Sequence, residues 1–324
     1  MKKKAMKQTA RQGLMLVLCV ALVLGVGFLI LLGLQQLENR QVISNVPSRT
    51  QNITYMGKDY TLNKNVESIL VMGLDQTVIT QGGSGYRNNM QSEIMLLVVM
   101  NHETKTVNLL QLNRDTITKI RRLGVGGSYD GQLALAYSYG SGGSDSCLNA
   151  VKAVSELLGD VPIQHYLTMS LDSLARISDT LGGVEIQLRD DFSAIDPTMV
   201  QGQSVKLNGD QALTYIRPRP DVENTSDIRI MDRQRQYIRA LFSEIIGQGR
   251  NALVKIGLSL GTEMSSDLTV SQIAFSLQTI SEYTMGDFLI PAGNAVAGQD
   301  AMEFHVDADD LQNIIVRTYY KELA

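Results

Sequence analysis

Six arginines and no lysine fall between Tyr215 and Ala240: Arg217, Arg219, Arg229, Arg233, Arg235 and Arg239. A guanidinium presents a planar fork of donors that matches two oxygens of one phosphate, whereas an ammonium is a point charge. A segment built only from the former predicts oriented contacts to an anionic ligand, with a pyrophosphate as the best fit. Pro218 and Pro220 alternate with Arg217 and Arg219, which prevents a regular helix and holds the two side chains in an extended loop. Arg229 and Arg233 are four residues apart on a helical stretch. Their like charges repel by about 0.2–0.5 kcal/mol unless an anion, or an ordinary salt bridge to Asp227 or Asp232, relieves them.

Asp75, Glu93 and Asp115 are the acidic counterpart. Taken singly, each reads as a capping or salt-bridging group. Taken together beside phosphate-reading arginines they suit Mg2+, which takes oxygen ligands and shares them with substrate phosphates. Asp75 closes an apolar run, and Arg114 and Asp115 follow another. Open α/β sheets bind ligands beside such strand ends. Other chemistries find no support. His102, His165 and His305 lack metal-ligand spacing, and there is no H-E-x-x-H and no phosphate-binding G-x-x-x-x-G-K-[ST] loop. Cys147 has no identifiable histidine partner, and no Ser-x-x-Lys lies beyond the apolar N-terminal segment.

The elements that must position these groups are legible as runs and periods. Residues 66–74 form a short apolar run typical of a buried strand, followed by a Gly/Ser/Asn-rich loop over 81–89. Strands over 94–100 and 106–112, with five residues between them, predict a hairpin. A glycine-rich loop over 124–143 leads to a helix over 147–158, with Ser144 or Asp145 as its cap. Strands follow over 163–168 and 184–188, separated by a helix over 170–181 that Gly182-Gly183 ends. Residues 209–215 predict a short helical turn, and 226–246 a longer helix. On that helix Met231, Ile238, Leu241, Phe242 and Ile245 share one face, opposite Arg229, Arg233 and Gln236. Helices are also expected near 271–283 and 307–323.

No charged residue lies between Arg11 and Glu38, and residues 14–34 are almost wholly apolar. At ~1.5 Å per residue this segment reaches about 31 Å, the thickness of a bilayer's hydrocarbon core. The core is too long for a cleaved signal peptide. Five basic residues precede it, which predicts a cytoplasmic tail over 1–13, a transmembrane helix over 14–34 and everything later outside the cell membrane. Residues 35–64 read as an extracytoplasmic linker, with a short hairpin over 53–62. The main domain spans 65–250, and 251–324 packs on it. The part beyond the span is more acidic than the whole chain's net charge of -4, which excludes general nucleic-acid binding.

Taken in order, these features resemble the LytR-CpsA-Psr family of bacterial envelope proteins. The resemblance rests on Gly73-Leu74-Asp75, Ser92-Glu93, Arg114-Asp115-Thr116, Ala134-Leu135-Ala136-Tyr137-Ser138-Tyr139-Gly140 and Asp179-Thr180-Leu181-Gly182-Gly183-Val184. It continues through Leu207-Asn208-Gly209-Asp210-Gln211-Ala212-Leu213-Thr214-Tyr215-Ile216-Arg217-Pro218-Arg219 to Arg233-Gln234. It implies an α/β fold, a three-layer α-β-α ectodomain around a central mixed sheet, preceded by one transmembrane helix. It also implies a Mg2+-dependent phosphotransferase that moves a glycopolymer, such as teichoic acid or capsular polysaccharide, from a polyprenyl-pyrophosphate carrier to peptidoglycan. Carried over by position, Arg114, Arg217, Arg219 and Arg233 would bind pyrophosphate with Gln234 or Gln236, while Asp75 and Asp115 lie near the metal with Glu93. Arg229 stands one position before the arginine that the family's helix register leads one to expect. Gln91-Ser92-Glu93-Ile94 replaces the family's Arg-Ser-Asp-Thr, and Arg87 is placed to supply the missing charge. A tethered protein that binds lipid-linked intermediates without turning them over, or a polyprenyl-pyrophosphate phosphatase, are the alternatives.

Overall fold

The structure, a computed structural model, describes residues 52–76, 88–124, 126–217, 227–249, 264–299 and 301–323, with isolated positions between 252 and 259. The expected membrane span, Arg87 and Arg219 lie outside the described residues. Among the described residues no helix is long and apolar enough to cross a membrane.

The chain enters through a hairpin, β1 (Asn52–Tyr55) and β2 (Lys58–Leu62). Met56 and Gly57 make its two-residue turn with φ of 48° and 76°, the left-handed pair that suits a tight hairpin. Then come β3 (Val66–Gln76), β4 (Met90–Asn101) and β5 (Thr106–Leu112). The expected glycine-rich loop instead contains β7 (Ser128–Gln132), which pairs with β6 (Ile117–Arg121), and the short α1 (Leu135–Ser138). Helix α2 (Ser144–Leu157) starts earlier than its apolar pattern predicts. Its N-cap is Gly143, with no side-chain cap; Asp145 lies in the first turn and accepts from Ser141.

Next are β8 (His165–Ser170), α3 (Leu171–Thr180), β9 (Val184–Gln187), β10 (Ser204–Leu207), α4 (Gly209–Ile216) and α5 (Asp227–Gln248). The Ser170 hydroxyl caps α3 by accepting from Ser173 N–H, and Gly182, at φ 79°, permits the left-handed exit. Asn208 and Gln211 form a capping box at the start of α4. Gly209 matters through close approach: its N–H donates to Asp179 at 2.7 Å, and a Cβ there would sit 2.8 Å from the Ala175 carbonyl. Two of the ordered sequence motifs therefore lock against each other. The chain ends with β11 (Met264–Ser266), α6 (Val270–Glu282), β12 (Thr284–Leu289), β13 (Gly293–Ala297), β14 (Met302–Val306), α7 (Ala308–Tyr319) and β15 (Tyr320–Glu322).

Six strands form the central sheet in the order β11-β8-β3-β4-β5-β12. The sheet is mixed: β8–β3 and β5–β12 are parallel and the other neighbours antiparallel. Both faces are covered. Leu70, Met72, Leu74, Met95, Leu97 and Val99 pack in one core with residues of α2 and α7. Ile69, Ile94, Leu96, Val98 and Met100 pack in a second core with residues of α3, α4 and α5. Burial on two sides explains why β3 and β4 read as continuous apolar runs rather than alternating ones. The last strand, β15, returns to pair with β2. Part of the stretch expected to be linker thus belongs to a three-stranded sheet.

Candidate functional site: a strand-end cavity

The site forms where β3, β4 and β5 reach one end of the sheet. Asp75 of β3 lies opposite Gln91 of β4. Between the Gly73–Ile94 and Leu74–Ser92 pairs, β4 carries one extra residue, Glu93. Period-2 alternation back from Leu97 and Met95 would carry Glu93 onto their core-facing side. The bulge breaks the alternation and re-aims the side chain. Glu93 instead accepts from Gln91 Nε2 at 3.0 Å and pairs with the Arg114 guanidinium.

After β5 the chain turns tightly. Asn113 Oδ1 accepts from Asp115 N–H at 2.9 Å and its carbonyl from Thr116 N–H at 3.1 Å, an Asx turn. The turn sets Arg114 and Asp115 side by side, with Arg114 Nε 3.4 Å from Asp115 Oδ1. One guanidinium is therefore shared by two carboxylates. Burial pulls the Arg114 pKa down, but the charges of Glu93 and Asp115 and their hydrogen bonds outweigh it, and the net direction is up. Arg114 stays charged at any physiological pH.

A cavity of about 430 Å³ opens over this turn. Gln91, Glu93, Asn113, Arg114, Asp115, Gln132 and Gln234 give it a polar lining, while Leu112, Ile230, Met231, Ala301 and Met302 give an apolar one. Asp115 is held from the far side as well. Gln132 Nε2 donates to its carboxylate at 2.7 Å, and its backbone carbonyl accepts from Phe304 N–H at 2.9 Å.

Arg217 follows α4, whose last turn leaves carbonyls without intrahelical partners. Side chains of α5 supply them: Arg233 Nε donates to the Tyr215 carbonyl at 2.8 Å and Gln234 Nε2 to that of Ile216 at 3.2 Å. The helix end so fixed presents Arg217 to Asp75, Nε to Oδ2 at 3.0 Å, and to Asp172 at 3.2 Å.

The structure therefore divides the residues singled out in the sequence. Glu93, Arg114, Asp115 and Gln234 meet at the cavity, and Asp75 and Arg217 pair one strand over. Arg229, Arg233 and Gln236 face elsewhere. Arg233 is fully buried and bonds Asp190 Oδ2 at 3.0 Å, with its guanidinium 5.4 Å from the Phe192 ring centroid. Arg229 takes the other Asp190 oxygen with two donors, at 2.8 and 2.6 Å. Gln236 accepts from the Tyr215 hydroxyl at 2.6 Å and donates to the Gln187 carbonyl at 2.8 Å. Arg229 and Arg233 meet at Asp190, which no sequence pattern marked; Arg233 is buried there, while Arg229 reaches it from the surface with about a third of its side chain exposed. Gln132 was missed too, since it ends a strand that lacks apolar alternation.

Among the described residues no three histidine, cysteine or carboxylate side chains are grouped to hold a metal ion. Asp75 is drawn to Arg217, and Glu93 and Asp115 to Arg114. This donor set fits the mode in which Mg2+ takes one or two carboxylates plus substrate phosphates, and not an all-protein cage.

A mixed sheet covered by helices on both faces, with a charged cavity at its strand ends, defines the class. The family model of the LytR_cpsA_psr family matches residues 35–316, and the chain belongs to that family. It is 30% identical over 206 residues to the polyisoprenyl-teichoic acid–peptidoglycan teichoic acid transferase TagU of Halalkalibacterium halodurans, covering 62% of each chain. It is 28% identical over 250 residues to biofilm regulatory protein A of Streptococcus mutans, covering 72% of this chain and 59% of that one. The matched part spans about three fifths of the length of these curated relatives. The fold is similar to that of TagT bound to LIIa-WTA, with a TM-score of 0.60 and 19% identity over 83% of this chain and 95% of that one.

Proposed function

We propose that the chain is a membrane-anchored phosphotransferase, with its folded part outside the cell membrane, that moves a glycopolymer from a polyprenyl-pyrophosphate carrier to peptidoglycan. The observation that carries this reading is Arg114 held between Glu93 and Asp115 on the wall of a strand-end cavity. An acceptor hydroxyl attacks the sugar-linked phosphorus, the polyprenyl phosphate leaves, and a sugar phosphodiester joins polymer to wall. Charge spreads over the non-bridging oxygens, so fixed guanidinium donors and exact positioning lower the barrier. Arg114 and Arg217 are the described donors for this task; Arg87 and Arg219 are the further candidates. Asp115 or Glu93 accepts the hydroxyl proton.

Two carboxylates against one arginine leave negative charge in excess among the cavity's described residues. An incoming pyrophosphate would be repelled unless a cation offsets that excess, and this supports Mg2+ held by one or two of Asp75, Glu93 and Asp115 together with phosphate oxygens. When bound, the ion would polarise the phosphoryl oxygens.

A second reading has its own support. Each charged group at the cavity already has a partner, which suits a tethered protein that binds lipid-linked intermediates without turnover. The test uses the full chain in detergent micelles with a synthetic polyprenyl-pyrophosphate-linked saccharide, a peptidoglycan oligomer and Mg2+, with and without chelator, read by mass spectrometry. A Mg2+-dependent phosphodiester on the acceptor, absent in Asp115→Asn, is the expected product. Carrier binding without product, from a substrate that a related active transferase consumes, would establish the binding protein instead. Release of polyprenyl phosphate with water as sole acceptor would indicate a phosphatase.

A further inference from the structure

Gln132 is half-buried at the end of β7 and lines the cavity. Its Nε2 donates twice, at 2.7 Å to Asp115 Oδ1 and at 2.7 Å to the Met302 carbonyl. A backbone carbonyl can only accept, and so can an ionised carboxylate. The amide nitrogen is therefore fixed toward those two oxygens, both its protons are committed, and the orientation of the group is not open to a flip. What remains is Oε1, to which nothing donates among the described residues.

Met302, the second partner, begins β14, far along the chain from the motifs that mark the site. This strand edge is tied to the Asp115 turn at two points. These are the Gln132 bond and a parallel bridge between Thr116 and Phe304, which includes Phe304 N–H to the Asp115 carbonyl at 2.9 Å. Met302 is 44% exposed, an apolar surface that lines the cavity together with Asp115 and Gln132. An apolar lip beside a lone, oriented carbonyl oxygen matches an N-acetylated amino sugar. Such a sugar offers an amide N–H to accept from and a methyl group to cover, next to a hydroxyl.

We propose that Gln132 and the Met302 edge of β14 form the acceptor subsite. Gln132 Oε1 accepts from the acceptor sugar's N–H or O–H, while Nε2 fixes the Asp115 carboxylate toward the attacking hydroxyl. This rests on the transferase reading above. It assigns the C-terminal hairpin a role in choosing the acceptor rather than in holding the lipid-linked donor.

The test compares full-length wild type with Gln132→Met, Gln132→Glu and Met302→Ser in the same micellar assay, varying acceptor and donor independently. Gln132→Met keeps size and loses every hydrogen bond. Gln132→Glu keeps Oε1 and sets a carboxylate against the Asp115 carboxylate and the Met302 carbonyl. Expected is a rise of tenfold or more in acceptor KM for both Gln132 variants and a smaller rise for Met302→Ser. Donor KM should stay within twofold of wild type. An acceptor lacking its N-acetyl group should be used poorly by wild type and no worse by Gln132→Met. Unchanged acceptor KM in a Gln132→Met protein that binds donor normally overturns the proposal and leaves the transferase reading standing. An equal rise in donor KM overturns it as well, by making the effect structural. Should Gln132→Met fail to fold, Met302→Ser alone decides, through its acceptor-specific KM. If wild type makes no transfer product, the parent reading falls first.

Discussion

Two clusters in this molecule use the same chemistry in opposite proportions. Around Asp190, two guanidiniums share one carboxylate, and Arg233 is fully buried with its neighbours closed over it. At the cavity, two carboxylates share one guanidinium that remains partly open to solvent. The first arrangement is closed: Arg233 links Asp190 to the Tyr215 carbonyl at the end of α4, and what it delivers is the position of Arg217. The second is open on one side and has charge to spare. Arginine type alone does not separate a phosphate ligand from a structural strut; burial and the balance of charge around it do.

Substitutions should separate the clusters by which property they change. Asp190→Ala strands a buried guanidinium, and breaking such a pair costs about 3–5 kcal/mol. Urea denaturation should show that loss. A cost below ~1 kcal/mol would mean that the Asp190 cluster is no more structural than the cavity. Arg114→Ala should lower transfer by roughly 10²–10³-fold, as loss of one oriented donor does elsewhere, with less than half the stability loss of Asp190→Ala. The two glutamines of α5 sharpen the contrast. Gln236→Ala removes the Tyr215 and Gln187 bonds and should cost about 1–2 kcal/mol with donor affinity retained. Gln234→Ala, which opens the cavity wall, should weaken donor binding as well, measured by titration calorimetry.

The smallest effect is expected far from both clusters. Burial lowers the His165 pKa, but the hydrogen bond and charge of Asp267, with the charge of Glu67, raise it further, so the net direction is up from 6.5. A histidine raised in the folded state adds stability in full below its unfolded pKa and loses it as pH climbs through the folded value. Wild type should therefore be more stable at pH 6 than at pH 8, by a difference that His165→Gln removes. A pH dependence unaltered by His165→Gln would assign it to other groups.

Much of this was readable in advance. Strands β3, β4 and β5 announced themselves as apolar runs because both sheet faces are buried, and α3 carried its stop signal in Gly182-Gly183. Strand β7 did not, since Ser128-Tyr129-Asp130-Gly131-Gln132 has no apolar period and is held by its ladder to β6. The strand ends that place Asp75 and Asp115 followed from pattern. The bulge at Glu93 did not, because it is a property of two strands in register rather than of either alone. Asp190 and Gln132 were invisible for a similar reason: each is defined by partners far along the chain.

The pairing of β12 with β5 bears on how the protein is made. Thr106 pairs with Asn101 of the neighbouring strand at once, but finds the partner on its other side at Thr284, and Leu62 pairs with Tyr320. Such non-local contacts form slowly, because a long loop must close before any strand bond rewards it. Until the last segments have emerged, one side of β5 stays an open template of unpaired N–H and C=O groups. The central sheet is therefore sealed late, and the growing chain carries a sticky edge for most of its synthesis, when association with other chains competes with its own completion.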